Sequence, residues 1–167
     1  MGDGCDLDWI TEDLAIGGCC APEALASLAR DHRLGAVIDA RAEAIDEAAA
    51  WESQGVVFLS LPTEDHAAVT PEMLRTGLDF AERAQRTGRR LLIHCQHGIG
   101  RSVMLALCVL VERGMGALEA LVLVKSRRRK ASPSVEQIEA WRAWLSRRGQ
   151  AAPSFEACAA IAYARAG

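Results

Sequence analysis

The chain has 167 residues, 50% of them hydrophobic and 25% charged, with a formal net charge of −3. That length buries about 70% of the unfolded surface around one core, and so mild a charge predicts no global attraction to nucleic acid or to an acidic membrane. The longest apolar stretch, Val103 to Val111, is far too short to span a bilayer, which excludes it as a transmembrane helix.

The opening MGDGCDLDW is acidic and lacks the apolar segment of a secretory signal, and Asp6 stands where a myristoylation pattern requires Ser or Thr. A cytoplasmic protein without membrane attachment is expected. A first strand is predicted near residues 14–17, then a helix near 22–31, a strand near 35–39 and a helix near 43–53. The strand near 56–60 is expected to break at Pro62, and Thr70 with Pro71 reads as the cap and first turn of a helix near 71–87. Glu64 and Asp65 are thereby left on a connecting loop. Leu91, Leu92 and Ile93 form a buried strand near 91–94, followed by an apolar helix near 101–113. Gly114 and Gly116 punctuate the entry to a helix near 116–130. Ser134 with Gln137 forms a capping box opening the helix near 134–147, whose Trp141 and Trp144 share a core-facing side. A last helix near 153–165 carries a stripe of Phe155, Cys158 and Ile161, which either covers the domain or meets a partner.

Strands separated by helices specify an α/β fold with a mostly parallel central sheet of four to five strands, flanked by helices, with sites at the strands' carboxyl ends. One domain is expected over 1–167, its core in about 7–145 and an extra helix in 150–167. A monomer is expected.

The run His94-Cys95-Gln96-His97-Gly98-Ile99-Gly100-Arg101-Ser102 lies between a strand and a helix. Backbone N–H groups at a helix N-terminus have no intrahelical partners, and the helix dipole adds partial positive charge there. Gly98 and Gly100 allow the chain to curl into a nest of inward N–H groups, while Arg101 supplies a planar fork that grips two phosphate oxygens. A thiol in that field is a thiolate near neutrality, so Cys95 reads as a nucleophile at the base of a phosphate cradle. Ser102 donates to the sulfur when it leaves, and His94 braces the loop backbone without touching substrate. The competing reading of Cys95, a buried structural thiol, leaves the glycines, Arg101 and Ser102 unexplained.

HCQHGIGRS resembles the HCxxGxGR(S/T) signature of the cysteine-dependent protein tyrosine phosphatase superfamily, in particular its compact dual-specificity branch. DWITEDLAIGG at Asp8 to Gly18, GAVIDAR at Gly35 to Arg41 and VVFLSLPTED at Val56 to Asp65 resemble that branch's successive strands, so the likeness covers roughly residues 7 to 145. The resemblance implies Cys95 as nucleophile, the backbone of Gln96, His97, Gly98, Ile99, Gly100 and Arg101 as the phosphate nest, Arg101 as clamp and Ser102 as leaving-group aid.

Expelling an alkoxide or phenolate from phosphorus also needs a proton donor. Asp65, on the loop that carries the acid in the resembling family, is the leading candidate, with Glu64 beside it and Asp39 at the end of its own strand as rivals. The expected reaction has two steps: Cys95 attacks phosphorus as Asp65 protonates the leaving oxygen, then Asp65 activates water against the phosphocysteine. No cofactor is required, and no metal-ligand spacing is evident.

Protein phosphotyrosine is the first expected substrate, with phosphoserine or phosphothreonine if the pocket is shallow. A phosphoinositide or RNA 5′-triphosphate phosphatase, a rhodanese-type sulfurtransferase and an inactive phosphate-binding module are the alternatives. The basic run Lys125 to Lys130 ends a helix, where cations suit the dipole, and reads as a solvated face without nucleic acid; Arg127 or Arg128 can meet a second anionic group. Cys5, Cys19, Cys20, Cys95, Cys108 and Cys158 have no framework spacing and are expected as free thiols, Cys108 in the core and Cys19 or Cys20 within reach of an oxidised Cys95.

Overall fold

A computed structural model describes residues 5–43 and 47–165. The chain order is β1 (Leu7–Trp9), β2 (Leu14–Gly17), α1 (Leu25–Asp31), β3 (Leu34–Arg41), α2 (Ala48–Glu52), β4 (Val57–Thr63), α3 (Pro71–Arg86), β5 (Arg90–His94), α4 (Arg101–Glu112), α5 (Ala117–Arg127), α6 (Val135–Arg147) and α7 (Phe155–Ala162). The strands form one sheet in the order β1-β2-β5-β3-β4, with only β1 antiparallel.

β5 lies at the centre, and its alternation sorts the core into two layers. Leu91 and Ile93 point to one face, with Leu14, Ile16, Ala36 and Ile38, against α3 to α7. Leu92 points to the other, with Ala15 and Val37, against Leu25, Leu28 and Trp51 of α1 and α2. Burying each such aliphatic side chain contributes about 1.5–3 kcal/mol. α4 is buried on every side from Arg101 to Val111, which explains why its sequence shows no polar face.

Three sequence expectations are corrected here. Pro62 does not end β4. The strand continues to Thr63, because β4 is an edge strand on which Pro is tolerated, and a shift in the β3–β4 register between Asp39 and Arg41 absorbs Leu61 and Pro62. The short strand β1 was not predicted as a separate element; three residues carry little periodic signal, and it forms by pairing Leu7 with Gly17 and Trp9 with Ala15. That pairing also brings Cys5 and Cys20 to a Cα separation of 5.4 Å, where they form a disulfide in place of two free thiols. Cysteine spacing alone does not reveal such a hairpin.

The expected helix near 43–53 spans only Ala48–Glu52; residues 44–46 lie outside the described residues, and Glu43 sits in a bend. The caps form as read, with Thr70 accepting from the Met73 N–H and Ser134 from the Gln137 N–H. α7 covers the domain: Cys158 is fully buried, and Lys125 donates to the carbonyl of Ala162 at 2.8 Å. Lys125 also donates to the Ala131 carbonyl at 2.8 Å, so it folds back onto the protein while Arg127 and Arg129 remain exposed. No helix among the described residues is long and apolar enough to cross a membrane.

Candidate active site

β5 ends at His94, and α4 begins at Arg101, so residues 95–100 must turn at the carboxyl end of the central strand. The turn is gripped from outside at four successive carbonyls. The Cys19 N–H donates to Gln96 O at 3.0 Å and the Ser132 N–H to Ile99 O at 2.9 Å. Between them, Arg128 donates through Nη2 to His97 O at 3.1 Å and through Nε to Gly98 O at 2.6 Å. In a trans peptide, the carbonyl of one residue and the N–H of the next point opposite ways. Holding these four oxygens outward therefore turns the N–H groups of His97, Gly98, Ile99 and Gly100 toward the inside of the loop, a nest suited to an anion. The Gly98 N–H accordingly donates to Cys95 Sγ at 3.3 Å.

A Cβ at either loop glycine would meet a close neighbour. Gly98 has φ +64, and a Cβ there would fall 2.3 Å from Arg128 Nη2 and 2.6 Å from the Gly17 backbone. At Gly100 a Cβ would fall 2.5 Å from the Gln137 carboxamide, which is itself fixed by the Ser134 N–H and the Ala67 carbonyl.

Cys95 is 3% exposed at the base of this nest. Burial pushes its thiol up, but Ser102, the inward backbone N–H groups of Ser102 and Gly98 and the Arg101 charge outweigh it, leaving the pKa lowered. Ser102 Oγ lies 3.2 Å from Sγ, placed to donate to a thiolate. Gln96 turns its amide to Cys19 Sγ at 3.1 Å, while the His97 side chain is exposed and Ile99 half-buried, so these three lend the site their backbone.

Arg101 is 2% exposed and differs from the expected free fork. Its Nη1 donates to Glu43 Oε2 at 2.7 Å and to the Thr63 carbonyl at 2.8 Å, and its Nη2 donates to Glu43 Oε1 at 2.7 Å. Nε is buried without a partner among the described residues, the one guanidinium nitrogen that the surrounding protein leaves unused. Glu43 was missed because it reads as one acid among several near residues 43–52. Its position just past the carboxyl end of β3 was the available signal.

Asp65 lies beyond β4, 60% exposed, with Oδ1 3.6 Å from Arg101 Nη2, which brings it to the mouth of the loop. The neighbouring backbone is pinned to the start of α6, where Ser134 donates to the His66 carbonyl at 2.7 Å and Gln137 to that of Ala67 at 2.9 Å. Glu64 is exposed and forms no ion pair with Arg101 among the described residues, and Asp39 is buried with both carboxylate oxygens committed to the Arg41 guanidinium.

His94 is 3% exposed behind the loop; the Cys95 backbone is among the groups that act on its ring, no side-chain partner completes a hydrogen bond to either ring nitrogen among the described residues, and Nε2 lies 3.9 Å from Asp39 Oδ2. Burial holds its pKa below the ordinary histidine range, with Asp39 opposing, so it packs behind Cys95 as a neutral ring. The fold also gathers Asp39, Glu47 and His94 into a potential ligand group that residues so far apart in sequence did not announce. The Arg41 guanidinium, bound to Asp39 and 3.5 Å from Glu47, already supplies the cation there. Arg128, proposed from the sequence for a second anion, is instead fully buried and committed to the loop carbonyls and to Asp6 and Asp8.

A buried thiol in an anion nest, an arginine at its rim and a carboxylate on a facing loop define a cysteine-based phosphatase catalytic domain. The chain belongs to the family described as the dual specificity phosphatase catalytic domain, whose model matches residues 19–147. The dual specificity protein phosphatase 1-A of Xenopus laevis is 35% identical over 79 residues, covering 46% of this chain and 21% of that protein. The chain thus spans about a fifth of the length of the curated relatives it matches. Tk-PTP in its active form superimposes with a TM-score of 0.77 at 31% identity, covering 88% of this chain and 99% of that one. Human DUSP28 shares the fold with a TM-score of 0.68 at 24% identity, covering 84% and 95%.

Proposed function

We propose that the chain hydrolyses phosphate monoesters on proteins through a phosphocysteine on Cys95, phosphotyrosine first and phosphoserine or phosphothreonine second. The observation that carries this reading is the 3% exposure of Cys95 at the base of a nest whose outward carbonyls are all held. A phosphorus atom reaches so recessed a sulfur most readily on a long, planar stem, which favours the phenolic ester.

In the first step Sγ attacks phosphorus in line, the inward N–H groups and Arg101 Nε hold the equatorial oxygens, and the carboxyl of Asp65 protonates the departing oxygen. In the second, the Asp65 carboxylate takes a proton from water as it attacks the phosphocysteine, and Ser102 donates to the sulfur as the S–P bond breaks. No step draws on a metal.

The test is hydrolysis of phosphotyrosyl, phosphoseryl and phosphothreonyl peptides, a phosphoinositide and an RNA 5′-triphosphate, by wild type and by Asp65→Asn. Highest kcat/KM on the phosphotyrosyl peptide, with Asp65→Asn most damaging for poor leaving groups, is the expected pattern. Preference for the phosphoinositide or the RNA would overturn the substrate assignment, and equal loss across leaving groups would remove Asp65 as the acid.

A further inference from the structure

We propose that Arg128 is a positioning residue for the phosphate loop and that Asp6 and Asp8, which precede the family-matched residues, hold it there, making β1 a working part of the catalytic centre. The proposal rests on the phosphatase reading of the loop and assigns this network its role in that reaction.

Arg128 has no solvent exposure and uses all three nitrogens. Nε and Nη2 take the Gly98 and His97 carbonyls, two of the four that set the nest. On the opposite side Nη1 donates to Asp8 Oδ2 at 2.7 Å and Asp6 Oδ1 at 3.2 Å, and Nη2 to Asp6 Oδ2 at 2.9 Å. A guanidinium removed from water needs such compensation, and the loop carbonyls carry no net charge to provide it. The two carboxylates provide it, from the segment at the start of the chain. That segment is itself tied down: Asp6 O accepts from the Gly18 N–H at 2.8 Å, Lys130 pairs with the Asp6 carboxylate, and Cys5 is bonded to Cys20.

The consequence for chemistry follows from peptide planarity. Fixing the His97 and Gly98 carbonyls fixes the N–H groups of Gly98 and Ile99, and the first of these already points at Cys95 Sγ. Without the acids, Arg128 must seek water, its two carbonyls are released, and the two peptides lose their inward setting. Lysine cannot substitute, since one ammonium cannot span two carbonyls and two carboxylates in a planar fork.

The experiment compares wild type with Asp6→Asn, the Asp6→Asn/Asp8→Asn pair, Arg128→Lys and Arg128→Met. Three quantities are read: kcat and KM on p-nitrophenyl phosphate, the pH midpoint of Cys95 alkylation by iodoacetamide, and the melting temperature. Asp6 is half-exposed, so its single variant tests the proposal even if the buried substitutions do not fold. We expect kcat to fall roughly tenfold in Asp6→Asn and roughly 100-fold in the acid pair and in both Arg128 variants, as loop donors shift by a fraction of an ångström. The alkylation midpoint should rise in each folded variant. A lowered melting temperature with unchanged kcat and unchanged midpoint would overturn the proposal, leaving β1 a structural strand. Wild type that alkylates at low pH but hydrolyses no phosphate monoester would instead overturn the phosphatase reading, and the midpoint shifts would still test the loop network.

Discussion

Glu43 and Arg101 meet as a two-point pair, each carboxylate oxygen 2.7 Å from a guanidinium nitrogen, so the guanidinium at the loop is oriented from behind. Charge-assisted bonds of this geometry fix orientation as well as charge. With Thr63 O holding the same Nη1, the guanidinium plane is defined on one edge, and Nε is directed elsewhere.

Glu43→Gln should therefore lower kcat/KM by about tenfold, since a neutral amide accepts from one nitrogen and opposes the other. Its pH signature is also fixed. The Arg101 hydrogen bonds lower the Glu43 carboxyl from 4.5 to about 2 against its burial. A depressed carboxyl contributes stability that is complete above its unfolded pKa and is lost as pH falls through the folded value. The melting-temperature difference between wild type and Glu43→Gln should be constant above about pH 5 and vanish near pH 2. With 44% of the side chain exposed, solvent screening keeps that difference small. A difference persisting unchanged to pH 2 would contradict the pairing.

Gly98→Ala should abolish most activity, because its Cβ meets Arg128 and the Gly17 backbone in a left-handed conformation that alanine resists. Gly100→Ala should be milder, as the Gln137 side chain can move at the expense of its bonds to Ser134 and Ala67. Turnover of the two variants under one set of conditions checks the order, and equal activity in both would contradict it.

Much of this arrangement was legible in the sequence, and its limits have physical causes. Cys95, Arg101 and the loop backbone are neighbours in the chain, so local spacing carried them, and strand-to-helix flanks set their direction. The caps at Thr70 and Ser134 are local in the same way. Glu43, Arg128, Asp6 and Asp8 reach the site only through tertiary contacts, across 58 residues for Glu43 to Arg101 and 122 for Asp6 to Arg128. A basic run at a helix end looks solvated whether or not one member turns inward, and Arg128 does so among exposed Arg127 and Arg129.

Ser102→Ala should raise the pH midpoint of Cys95 alkylation, because the Ser102 side chain is the largest of the interactions that lower the thiol's pKa against burial. It should also slow breakdown of the phosphocysteine, seen as a larger burst before steady turnover. An unmoved midpoint would assign the thiolate to the backbone N–H groups and Arg101 alone.

The most direct measurement is acid quenching of wild type, Asp65→Asn and Cys95→Ser during turnover of a phosphotyrosyl peptide, with mass spectrometry of the peptide containing Cys95. The account predicts one added phosphoryl group on Cys95 in wild type, slower appearance of that group in Asp65→Asn, whose first step lacks its proton donor, and none in Cys95→Ser, which should not turn over. Sustained hydrolysis by Cys95→Ser, or phosphate release by wild type without that adduct under any quench time, would contradict it.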